Sequence, residues 1–82
     1  MRNYLELKFN NNYRMEAMIL HSQVDKYPIK IARVCYIAGW VSIDGNVKLT
    51  KISDDEVTFK IDNTKYNVNR EYLDDINFEE MN

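Results

Sequence analysis

Residues 40–52 read Trp40-Val41-Ser42-Ile43-Asp44-Gly45-Asn46-Val47-Lys48-Leu49-Thr50-Lys51-Ile52. Two runs with period-two alternation flank Asp44-Gly45-Asn46, and Asp-Gly between such runs is a strong β-hairpin signal. The same alternation continues outward. Leu5, Leu7 and Phe9 oppose Tyr4, Glu6 and Lys8; Val57, Phe59 and Ile61 oppose Thr58, Lys60 and Asp62; Tyr66 and Val68 oppose Lys65, Asn67 and Asn69. With only 2 Gly and 1 Pro, turns must come largely from Asn and Asp clusters. These stand at Asn10-Asn11-Asn12, Asp44-Gly45-Asn46, Ser53-Asp54-Asp55 and Asp62-Asn63-Thr64. The pattern predicts a mainly β chain: one small, strongly bent antiparallel sheet or barrel of five to six strands with a short C-terminal helix.

Two stretches are read less directly than the C-terminal one. Tyr13–Ser22 alternates at first and is read as a strand paired with Tyr4–Phe9 across the Asn triplet, although its Met, Ala, Glu and Leu are helix formers. Ile29–Ala38 is rich in β-branched residues and is read as a strand bulged near Arg33. Pro28 before it and Gly39 after it give the alternative, an α+β chain with a helix at 28–38. Asn69 caps the expected helix over Arg70–Phe78, and residues 79–82 are expected to fray.

All 82 residues are assigned to a single domain, which at this size buries only about 60–65% of its unfolded surface. Apolar residues make up 45% and charged residues 29%, enough for a core. The longest uncharged run, Val34–Ile43, is too short to cross a membrane. Glu6 and Lys8 interrupt any apolar leader, and the single Cys35 has no disulfide partner, so a cytoplasmic location is expected.

Chemistry is sparse. One His and one Cys do not supply a zinc site, Asp44-Gly45 lacks the spaced acids of a calcium loop, and two isolated glycines make no phosphate cradle. No metal or cofactor is expected. His21 and Cys35 form the one obvious base–nucleophile pair, and both sit in apolar context, so Cys35 is expected to be buried. Asp54-Asp55 and Asp74-Asp75 are adjacent in sequence and point apart on a strand. The expectation is a protein without catalytic activity.

The charges are more informative. Residues 1–41 carry six basic and three acidic side chains; residues 42–82 carry five and ten. After Arg70 no base occurs, while Glu71, Asp74, Asp75, Glu79 and Glu80 follow among Tyr72, Leu73, Ile76, Phe78 and Met81. Apolar anchors within an acidic rim suit docking on a basic protein surface, with Glu71, Tyr72, Asp74, Asp75, Phe78, Glu79 and Glu80 as the partner-binding residues. The alternative is a nucleic-acid-binding β face using Lys30, Arg33, Trp40 and Lys48, with Tyr36, Tyr66 and Lys65 beside them. The overall pI near 5.3 opposes it. A third reading is a structural subunit that self-associates through an open sheet edge.

The composition includes 10 Asn, 8 Ile, 7 Lys and 6 Tyr, residues with A/T-rich codons. In size, composition and lack of motifs the chain resembles small phage-encoded inhibitors of host defence or replication enzymes. No residue motif carries that resemblance. It implies a phage or mobile-element accessory protein that inhibits a host protein by covering its nucleic-acid-binding surface.

Overall fold

In β1 (Arg2–Phe9) every second side chain is buried: Asn3, Leu5, Leu7 and Phe9 point inward, while Tyr4, Glu6 and Lys8 point out. The computed structural model describes residues 2–24, 26 and 32–81. After β1 come a 3₁₀ turn (Asn11–Tyr13), α1 (Arg14–Val24), β2 (Arg33–Ile37), β3 (Trp40–Gly45), β4 (Val47–Ile52), β5 (Glu56–Ile61), β6 (Thr64–Asn69), a second 3₁₀ turn (Arg70–Tyr72) and β7 (Leu73–Met81).

The strands form two antiparallel sheets, ordered β2-β3-β1-β7 and β4-β5-β6. They share a core. Leu5, Leu7, Val41 and Ile43 come from the first sheet, Val47, Val57 and Phe59 from the second, and Ala17, Leu20 and Val24 from α1. The mainly β expectation holds, but the described strands number seven and the sheets do not close into a barrel.

The reason lies in the stretch quoted first. Asp44-Gly45-Asn46 is not a hairpin turn. β3 pairs with β1 and β2, and β4 pairs with β5, so the chain passes at this point from one sheet into the other. Gly45, at φ 138, permits the bend. Asn3 donates its side-chain N–H to the Val47 carbonyl at 2.9 Å and ties β1 to the start of β4. The hairpin turn before β3 is instead Ala38-Gly39, where both residues have positive φ (52° and 88°), as twisted two-residue hairpins require.

Two other expectations are overturned. Tyr13–Ser22 is helical from Arg14 onward, because Ala17, Leu20 and Val24 recur at helical spacing and cover the core. The expected helix over Arg70–Phe78 is a single 3₁₀ turn followed by β7. Asn69 does cap that turn, accepting the Glu71 backbone N–H at 3.2 Å. Of the tail 79–82, residues 79–81 belong to β7, where Glu79 pairs with Tyr4 and Glu80 with Asn3, and residue 82 lies outside the described residues. Residues 33–37 of the ambiguous 28–38 stretch form a strand, against the helix alternative; Lys30 lies outside the described residues.

Candidate functional site

β7 is a nine-residue strand at the margin of the first sheet, hydrogen-bonded to β1 on one side. Leu73 is buried, while Ile76 and Phe78 are half-buried against the core. Phe78 pairs with Leu5, and Ile76 with Leu7. The pairing slips by one residue between Lys8 and Phe9, leaving Asp74 as the extra residue. Asp75 and Glu79 fall on the outward side, opposite Lys8 and Tyr4. Asp74, Asp75, Glu79 and Glu80 are all exposed. The Ile76 backbone N–H donates to Asp75 Oδ1 at 2.9 Å, so the strand satisfies one of its own donors.

Of the expected docking residues, four of the five acids are therefore gathered on one strand. The two aromatics are engaged elsewhere. The Tyr72 ring lies 4.4 Å from that of Tyr13, centroid to centroid, and Phe78 faces the core. Glu71 sits in the 3₁₀ turn, where Asn69 Nδ2 donates to its Oε1 at 3.2 Å.

The outward face of the first sheet holds Arg33, Cys35 and Ile37 from β2, Trp40, Ser42 and Asp44 from β3, and Tyr4, Glu6 and Lys8 from β1. Arg2 grips Asp44 with two hydrogen bonds of 2.7 and 2.6 Å, and Arg33 lies 3.8 Å from the same carboxylate. The hydrogen bond from Arg2 holds the Asp44 carboxyl below its usual range; desolvation opposes this, and the charges of Arg2 and Arg33 add to it. Lys8 Nζ sits 5.4 Å from the centre of the Trp40 ring. The Tyr4 hydroxyl meets Ser42 Oγ at 3.4 Å. That bond lowers the phenol's pKa, but desolvation and the nearby Glu6 and Glu79 leave it raised overall.

The alternative nucleic-acid set is divided. Arg33 and Trp40 share this outward face, whereas Lys48 lies on β4 in the second sheet. Tyr66 faces the core and stacks on Phe59 at 5.4 Å. Cys35 is exposed, contrary to expectation, because it occupies an outward position of β2. His21 packs near Tyr36, on the opposite side of β2, so His21 and Cys35 face away from each other. Among the described residues no three His, Cys, Asp or Glu side chains gather as metal ligands, and no helix is long and apolar enough to cross a membrane.

Comparison with protein-family models, curated proteins and solved structures finds no match.

The strand register also gathers a group that sequence reasoning named only in part: Lys48 and Lys65 belong to the alternative nucleic-acid set, and Lys60 does not. Lys48 of β4, Lys60 of β5 and Lys65 of β6 stand directly opposite one another across three strands. All three are exposed. Their sequence spacing carries no signal; only the strand register unites them.

Proposed function

We propose that this protein is a non-catalytic binding module that docks on a basic surface of a partner protein through its acidic margin, β7. The supporting observation is the placement of Asp74, Asp75, Glu79 and Glu80, all exposed, on one nine-residue edge strand. An extended edge offers backbone groups for strand addition, and its side chains choose the partner. Two β7 strands brought together would set carboxylates against carboxylates, which opposes self-pairing. A lysine- and arginine-rich segment meets no such repulsion and is drawn in at long range.

A protein surface built to hold nucleic-acid phosphates fits this chemistry, because carboxylates on a strand can occupy phosphate positions. In that setting the chain acts as an inhibitor of a host nucleic-acid-binding protein, as an accessory protein of a phage or mobile element would.

The test uses a fluorescent arginine- and lysine-rich peptide of about ten residues, titrated with the parent and with the triple variant Asp74→Lys/Asp75→Lys/Glu79→Lys. The parent should bind with an affinity that falls as salt rises, and the variant at least about tenfold more weakly. Equal binding by both overturns the reading.

A further inference from the structure

The strand register brings together a second charged surface, of opposite sign and on the other sheet. Lys48 pairs with Lys60, and Lys60 with Lys65, so three ammonium groups form one row across β4, β5 and β6. Lys51 lies on the same face but is committed: its Nζ donates to Glu56 Oε1 at 2.9 Å. Glu56 is committed in turn, accepting from Asn67 Nδ2 at 2.7 Å as well. Asp62, at the turn beyond β5, accepts from Asn46. None of Lys48, Lys60 and Lys65 forms an ion pair with a described residue, although the charge of Lys65 adds to the hydrogen bonds from Asn67 and Lys51 that hold the Glu56 carboxyl below its usual range.

Like charges placed directly opposite on neighbouring strands oppose sheet formation. Nothing in the packing demands lysine here, since Thr, Asn or Glu would serve an exposed strand position equally well. A bound anion would remove the repulsion.

We infer that the outward face of β4–β6 binds the sugar–phosphate backbone of a single-stranded nucleic acid. Neighbouring strands stand about 4.8 Å apart, so the row spans roughly 10 Å, the reach of two or three consecutive phosphates on one strand. Two of its members, Lys60 and Lys65, line a shallow concavity of about 400 Å³ together with Thr50, Lys51, Glu56 and Thr58. Among the described residues no aromatic ring lies on this face, because Phe59 and Tyr66 both point into the core. Bases therefore have no stacking platform, and binding is to backbone charge without regard to sequence. This inference does not rest on docking through β7, which belongs to the other sheet.

The test is fluorescence anisotropy of a labelled oligothymidylate of about 20 nucleotides titrated with the whole chain. With three phosphates neutralised on a single strand, affinity should fall about 20-fold between roughly 50 and 200 mM salt. Lys48→Ala/Lys60→Ala/Lys65→Ala should abolish binding, and the single variant Lys60→Glu should reduce it strongly if the triple variant fails to fold. Parent binding should survive Asp74→Lys/Asp75→Lys/Glu79→Lys. Absence of binding at low salt, or retained binding by a folded lysine variant, overturns the inference. A salt-sensitive dimer in place of oligonucleotide binding also overturns it, since the lysine row would then be occupied by the acids of a second copy.

Discussion

The outward faces of the two sheets treat charge in opposite ways. On the first, Arg2 and Arg33 share Asp44, and Lys8 lies over the Trp40 ring with Asp75 opposite it in register. Asp44 thereby ties β1 and β2 together from its place on β3 between them. On the second, three lysines face one another with their carboxylate neighbours already engaged. Charge on the first sheet agrees with the register that its buried side chains set. Charge on the second opposes the register there, and that opposition marks a surface whose composition answers to something outside the fold. The acidic total for residues 42–82 conceals this, because it averages β7 with the lysine row.

Both faces rest on one core, so the largest perturbation removes that support. Phe59 is fully buried beneath the lysine row and stacks on Tyr66. Phe59→Ala should cost about 3–5 kcal/mol in urea unfolding, a large part of what a small domain possesses. A loss below about 1 kcal/mol would show that the second sheet does not depend on this ring.

A smaller change tests the contrast itself. Lys60→Glu turns two repulsive cross-strand pairs into attractive ones and should stabilise the chain by about 0.5–1 kcal/mol. Asp44→Lys, the same kind of reversal on the first sheet, should destabilise it. If both reversals shift the melting temperature in the same direction, the two faces are not opposites.

The gentlest probe is acid. Asp44 is held below its ordinary pKa chiefly by the hydrogen bond from Arg2, and Glu56 by hydrogen bonds from Asn67 and Lys51. A carboxylate with a depressed folded pKa contributes stability that is complete above the unfolded value, near pH 4, and is lost as pH falls through the folded one. Thermal melts should therefore drop below about pH 4, and less steeply for Asp44→Asn than for the parent. Identical acid profiles would show that the Arg2 contact adds nothing.

Where alternation was undisturbed, the strands were legible: β1, β5 and β6 follow period two, as does β4 up to the register shift between Leu49 and Lys51. β7 was hidden by its bulge. Leu73 and Ile76 are three apart, a helical spacing, yet both point inward because the extra residue resets the register opposite Phe9. In α1 the competing signals were both present, and the burial of Ala17, Leu20 and Val24 decided for the helix. Asp44-Gly45 had the composition of a hairpin, but the partners of Asp44 lie on β1 and β2, and β4 finds its partner in β5. The acids of the candidate docking strand were plain in the sequence, though their edge-strand geometry was not. Of the lysine row, Lys48 and Lys65 were legible as phosphate contacts, but Lys60 and the row itself were not, since residues 48, 60 and 65 meet only through pairing.

The crossing at Asp44-Gly45-Asn46 has a kinetic consequence. The second sheet is made of strands that follow one another in sequence, so its pairs close short loops. The first sheet is complete only when β7 reaches β1, as in the bond from Asn77 to Glu6, 71 residues apart. Closing so long a loop is entropically costly and is slow unless other structure has already shortened it. Early formation of the three-stranded sheet does this, replacing the chain between the end of β3 and the start of β7 by a formed unit one strand long, with the two points at its opposite ends. The lysine row then takes shape at the beginning of folding and the acidic strand at its end, so stopped-flow refolding should show protection of β4–β6 amides before those of β1 and β7.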